Sequence, residues 1–229
     1  MTKIIRPDTG TRNAWYDKQG IERTLLISCC FSILLLMIRI LVTESLMYGF
    51  LAWNLFLAYT PYGISRWLTK EGNLIKNRLK FVSLFMLWLL FIPNSFYIIT
   101  DLFHLDEGRA APQWYNLVLI FSFAWNGLML GIISLRQMEK IMELFISRRW
   151  RWIFLYGIIW LNAIGIYIGR YLRFNSWDII TKPFQVTDDI VYLCIHPIRN
   201  INEWGMIVCF AVLMLLLYQS IKRISQLVL

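Results

Sequence analysis

The sequence predicts an all-α, polytopic membrane bundle of six transmembrane helices with both ends in the cytoplasm. Three observations predict it. Hydrophobic residues make up 58% of the chain and charged ones 16%, whereas soluble domains carry about 25% charged residues. Six apolar runs reach the length that a helix needs to cross the bilayer, about 20 residues for about 30 Å of hydrocarbon. Lys and Arg alternate between rich and poor connections along the chain.

The runs lie at roughly 24–42, 46–65, 80–100, 114–135, 152–171 and 204–221. None alternates apolar and polar residues with period two, so strands are not expected. The expected organisation is a cytoplasmic tail at 1–23, a six-helix transmembrane domain at 24–221 and a cytoplasmic tail at 222–229. The first tail carries Lys3, Arg6, Arg12, Lys18 and Arg23. No small-residue cleavage site follows it, so the first run reads as an anchor and not as a removable signal.

Charge sets the orientation. Five Lys and Arg precede the first run, five fill 66–80, five fill 136–151, and Lys222 and Arg223 follow the last run. Between these lie connections with none (43–45), one (Arg109) and four (170–203). The positive-inside rule then puts both termini in the cytoplasm. The net charge of +9 is therefore a topology signal, and nucleic acid is not an expected partner. Trp114, Trp177 and Trp204 near one interface and Trp67, Trp150 and Trp152 near the other read as aromatic belts. Cys29, Cys30, Cys194 and Cys209 have no spacing suited to a disulfide framework or a zinc site.

An internal echo suggests a tandem two-helix unit. Ala52-Trp53-Asn54 and Ala124-Trp125-Asn126 stand 72 residues apart, in the second and fourth runs. Each is followed by a basic loop and a run containing Asn94 or Asn162, which ends in Asp101-x-x-His104 or Arg170-x-x-Arg173. Runs one and six would then be additions. A chance match explains the pattern equally well, because Trp and Asn are frequent here.

The third run carries the candidate site. Pro93 lies inside it and removes a backbone hydrogen bond, so a kink is expected. Asn94, Tyr97, Asp101 and His104 follow at spacings that put them on one α-helical face, rising to the extracytoplasmic surface. Arg170 and Arg173 end the fifth run, Arg39 lies near the same end of the first, and Asp178 follows in Asn175-Ser176-Trp177-Asp178. Together they suggest an outward-opening polar pocket, because such residues at membrane depth usually face a cavity or the bundle interior. Asp101 and His104 would handle protons. Arg170, Arg173, Arg39, Asn94, Tyr97 and Asp178 would hold an anionic lipid headgroup or a small anion, since guanidinium forks suit phosphate and carboxylate. The plainer alternative pairs Asp101 with Arg170 or Arg39 as a structural lock, with the remaining arginines snorkelling.

No metal site is assigned. Asp101 and His104, even joined by His196 and Glu203, stand among arginines that would repel a cation. A serine nucleophile, Ser95 or Ser176 with His104, lacks a nucleophile elbow. No cofactor can be named. Gly127-x-x-x-Gly131 and Gly165-x-x-x-Gly169 predict close helix packing, and pairing the fourth and fifth runs through them would set Arg170 and Arg173 against the core. Asn54, Asn126 and Asn162 are expected to bond between helices, and no ladder of ionisable residues crosses the membrane centre. A short amphipathic helix is expected at 188–195, lying on the outer leaflet or capping the pocket.

Several stretches together resemble one family. They are Phe91-Ile-Pro-Asn-Ser-Phe-Tyr-Ile-Ile-Thr-Asp-Leu-Phe-His-Leu105, Trp114-Tyr115, Phe121-Ser-Phe-Ala-Trp-Asn-Gly127 and Gly169-Arg-Tyr-Leu-Arg-Phe-Asn-Ser-Trp-Asp178. They resemble the bacterial membrane proteins of domain-of-unknown-function family 1361, over roughly residues 50–220. The resemblance implies a multi-pass protein of the bacterial cytoplasmic membrane and carries no activity. Three functions remain open: a binder or enzyme for an anionic lipid or lipid-linked headgroup, a small-molecule transporter or channel, and a non-catalytic subunit of a membrane complex.

Overall fold

The computed structural model describes residues 9–107, 110–174 and 178–227, and all regular structure among them is helical. The chain runs through α1 (Thr9–Thr43), α2 (Phe50–Lys70), the single turn α3 (Gly72–Lys76) and α4 (Arg78–Tyr97). A 3₁₀ segment (Ile98–Glu107) continues α4. Then come α5 (Gln113–Met142), α6 (Arg148–Arg170), α7 (Asp178–Thr181), α8 (Pro183–Ile195) and α9 (Ile201–Leu227). Five of these are long and apolar enough to cross a membrane: α1 from Gly20, α4 with its 3₁₀ continuation, α5, α6 and α9. The helix α2 is not among them, since Asn54, Thr60, Pro61, Ser65 and Arg66 interrupt its apolar run.

Many large apolar side chains point away from the bundle, among them Leu41, Val42, Leu79, Phe121 and Leu161. Such a surface is stable against lipid and not against water. The protein is therefore a membrane protein. Its polar residues are drawn inward. Trp53 and Trp125 of the repeated triplets face out, half exposed, while the adjacent Asn54 and Asn126 turn in.

At the centre, α2, α4 and α5 pack on one another, α6 covers α4, α9 covers α6, and α1 lies on α5. One core, around Leu68, Trp88, Leu135, Leu155, Ile207 and Tyr218, unites α2, α4, α5, α6 and α9. A second, around Leu36, Leu51, Ile98, Leu119 and Phe123, unites α1, α2, α5 and the 3₁₀ segment. The glycine faces explain why α4 can be central. A β-carbon on Gly127 would lie 2.2 Å from Ile98 Cγ2, and one on Gly131 would lie 2.8 Å from Ser95 Cβ. One on Gly165 would lie 2.8 Å from the Pro93 ring. Both small-residue faces therefore close on α4, from different sides. This corrects the expected pairing of the fourth and fifth runs, for α5 and α6 scarcely touch. The two units of the sequence echo also pack unlike each other: α2 lies along α4, whereas α5 and α6 are held apart by it.

Two polar clasps mark the end of the bundle opposite the 3₁₀ segment. Arg66 Nη2 donates to Glu22 Oε2 at 2.5 Å, tying α2 to α1. Lys222 Nζ donates to Glu139 Oε1 at 2.6 Å, and the Tyr218 hydroxyl donates to the other oxygen, tying α9 to α5. The second helix also starts later than its apolar run. Gly49 N–H donates to Leu46 O, closing a turn in a link where Glu44 takes a positive φ of 50°. The amphipathic helix expected at 188–195 belongs to α8, which begins earlier because Pro183 suits the first helical turn. Its Leu193 is buried, and the Leu193 carbonyl accepts from Trp204 Nε1 at 3.1 Å, so α8 is fastened to α9.

Candidate functional site

The site is built on the change of helix type after Tyr97. Pro93 has already removed one helical bond, and Ile98, Ile99 and Thr100 are three consecutive β-branched residues, which favour the α-helix poorly. The Thr100 hydroxyl donates to the Tyr97 carbonyl at 2.7 Å. The chain then winds as a 3₁₀ helix for ten residues. Such runs rarely exceed three or four, and residues i and i+3 eclipse in them. Ile98, Asp101, His104 and Glu107 therefore form one row along the segment.

The row graduates from buried to open. Ile98 is fully buried and Asp101 is 1% exposed. Asp101 Oδ2 accepts from Asn54 Nδ2 of α2 at 2.8 Å, while Oδ1 is buried with no partner among the described residues. His104 is half-buried, with its ring edge-on to Phe50 at 5.2 Å. Arg170 Nη2 lies 3.0 Å from His104 Nε2, and His104 Nδ1 lies 2.8 Å from Glu107 Oε2. A guanidinium only donates. Nε2 must then accept, so the ring proton sits on Nδ1 and is donated to Glu107. Arg170, His104 and Glu107 thus form a hydrogen-bonded line. The guanidinium also lies over the rings of Phe103 at 5.5 Å and Tyr97 at 6.0 Å.

The expected residues divide. Asp101, His104 and Arg170 come together. Tyr97 sits against Gly169 of α6, below Arg170, whereas Asp101 faces α2, so the single α-helical face expected for them does not persist through the 3₁₀ turn. Asn94 bends back to donate to the Phe91 carbonyl at 3.1 Å. Arg173 leaves the column: α6 ends at Arg170, and Arg173 adopts φ 57° with an exposed side chain. Asp178 is buried at the start of α7, where Oδ1 accepts from the Thr181 hydroxyl at 3.2 Å. Arg39 is buried apart from the row, its Nε donating to Asn116 Oδ1 at 3.0 Å. The simple lock is absent too: among the described residues, Asp101 has no ion-pair partner.

Of the central asparagines, Asn54 bonds Asp101 and Asn126 Nδ2 donates to Ser32 Oγ at 2.8 Å. Asn162 is the correction, because it is buried and neither of its side-chain polar atoms has a partner among the described residues. Ser95 donates to the Ala58 carbonyl at 2.9 Å and is fully buried, which removes it as a nucleophile. Ser176 and Trp177 lie outside the described residues. His196 stacks on Tyr192 at 4.7 Å, and no three His, Cys, Asp or Glu converge among the described residues. Glu107 and Asn54 are the site members that sequence reasoning missed. His104-x-x-Glu107 was a visible signal for the first, but its meaning depends on the 3₁₀ register.

No curated protein and no solved structure matches the chain. A family model described as a protein of unknown function, DUF1361, matches residues 53–217, more than half of the chain. The matched stretch contains α4, its 3₁₀ segment and the Arg170 end of α6, and thus the whole Arg170–His104–Glu107 line. The chain belongs to the DUF1361 family.

Proposed function

We propose that this protein holds an anionic lipid or lipid-linked headgroup at the 3₁₀ end of the bundle, with Arg170 as the anion ligand and His104 as the proton carrier. The observation that carries the reading is the Arg170–His104–Glu107 line. Among the described residues the Arg170 guanidinium makes its hydrogen bond through Nη2, and the half-buried fork suits phosphate or carboxylate. A histidine oriented by a carboxylate is the arrangement that moves protons at a bound group. In this reading the headgroup is modified as well as held.

In this reading the 3₁₀ end faces the extracytoplasmic side of a bacterial cytoplasmic membrane, and both termini are cytoplasmic. The distribution of Lys and Arg supports that orientation. The helix α2 is then the sixth span. Its 21 residues reach about 31 Å. Its polar groups bond within the bundle, Asn54 to Asp101 and Ser65 to Ser134 at 3.0 Å, which offsets their cost in the bilayer. Transport is less well supported. Below Asp101 lie buried Ile98 and, in α4, buried Phe96 and Ile92, with Gly127 and Gly131 closing on this stretch.

Native mass spectrometry of protein released from its membrane tests the reading. The wild type is expected to carry an anionic lipid or lipid-linked species. Arg170→Gln should bind it about tenfold to a hundredfold more weakly, the value of one charge-assisted hydrogen bond. His104→Gln should keep the species bound but leave it unprocessed. The same species at the same occupancy on wild type and Arg170→Gln would refute the proposal.

A further inference from the structure

We infer that Arg39 forms a second oxyanion site, separate from Arg170, in which a phosphate is gripped by the two terminal nitrogens of the guanidinium. Arg39 is 1% exposed in α1, one turn before that helix ends at Thr43. Its position is built from two sides. Nε donates to Asn116 Oδ1 of α5 at 3.0 Å. The guanidinium carbon lies over the Tyr48 ring at 4.2 Å. The Tyr48 hydroxyl in turn donates to the His104 carbonyl at 2.8 Å, which pins the ring. Nη1 and Nη2 are both buried and have no acceptor among the described residues.

Lone snorkelling does not explain this geometry, because a snorkelling arginine puts its head in water. A structural ion pair does not explain it either, since no carboxylate lies within bonding distance of Arg39 among the described residues. Leaving a buried charge unpaired costs far more than leaving a neutral donor unpaired. With Nε occupied by Asn116, the remaining pair of nitrogens offers the parallel donors that a phosphate accepts bidentately. Arg39 lies about 6 Å below the end of its helix, near the boundary between hydrocarbon and headgroups when α1 spans a bilayer. The phosphate could come from a lipid or from solution.

The experiment uses the full chain in maltoside micelles, always in an Arg170→Gln background, so that failure of the Arg170 proposal leaves this one testable. One arm adds inorganic phosphate and the other adds phosphatidylglycerol. Thermal unfolding and native mass spectrometry are followed in both. At least one arm should raise Tm saturably with one equivalent bound. A response to inorganic phosphate assigns a free anion, and a response to phosphatidylglycerol alone assigns a lipid phosphate. Arg39→Met should abolish the response, and Asn116→Ala, which frees Nε but keeps the charge, should weaken affinity by about tenfold or more. If Arg39→Met does not fold, Asn116→Ala decides. No response in either arm, or unchanged affinity in Asn116→Ala, overturns the inference.

Discussion

Trp88→Ala is expected to destabilise the bundle by about 3–5 kcal/mol, the range for removing a fully buried aromatic side chain. Trp88 is fully buried in α4 and stacks on Phe85 at 5.7 Å. Its Nε1 donates to Ser134 Oγ of α5 at 2.8 Å, and the Ser134 hydroxyl donates to the Pro61 carbonyl of α2 at 2.9 Å. One side chain thus joins all three central helices. Truncation opens a cavity where they cross and removes the hydrogen bond to Ser134. Trp88→Phe separates the two terms: it keeps most of the volume and should cost the hydrogen bond alone, about 1 kcal/mol. Unfolding in mixed micelles titrated with SDS measures both variants. A Phe variant as unstable as the Ala variant would show that the polar network, and not the packing, dominates.

Gly127→Ala is expected to cost about 1–3 kcal/mol through overpacking, despite a gain of about 1 kcal/mol in helix propensity. The new methyl would lie 2.2 Å from Ile98 Cγ2 and 3.1 Å from the Ser95 carbonyl oxygen. Ile98 opens the 3₁₀ segment and stands one turn below Asp101. The clash therefore pushes on the element that carries the site, and headgroup binding should weaken along with stability. Ile98→Ala removes the clashing methyl, so the double variant should recover part of the loss, and a cycle of the four proteins measures the coupling. Gly157→Ala is the control. Nothing lies within 4 Å of a β-carbon there, and that change should be neutral or stabilising by up to about 1 kcal/mol. Equal losses at Gly127 and Gly157 would rule out the packing argument.

Much of the site was legible because membrane burial makes polar residues conspicuous. Asp101, His104 and Arg170 stood out in apolar surroundings, and all three meet in space. What was illegible depends on backbone winding. An α-helix puts Tyr97 and Asp101 on one face, but the 3₁₀ turn divides them and brings Glu107 into line behind His104. Arg173 was lost from the column for a similar reason. Its spacing from Arg170 assumed that α6 continues, whereas the helix ends and Arg173 turns left-handed.

The sequence by itself determined the membrane class, the all-helical architecture and the approximate positions of the long helices. These properties sum along the chain, as apolar length and hydropathy, and need no knowledge of neighbours. It also determined that the glycine faces pack closely. Only the tertiary structure decided that both faces close on α4, that Asn54 and not an arginine bonds Asp101, and that Arg39 is buried with two donors unpaired among the described residues. Those outcomes depend on which helices cross and at what height. In a bilayer that choice rests on small-residue fit and on pairing of buried polar groups, and one-dimensional spacing encodes neither.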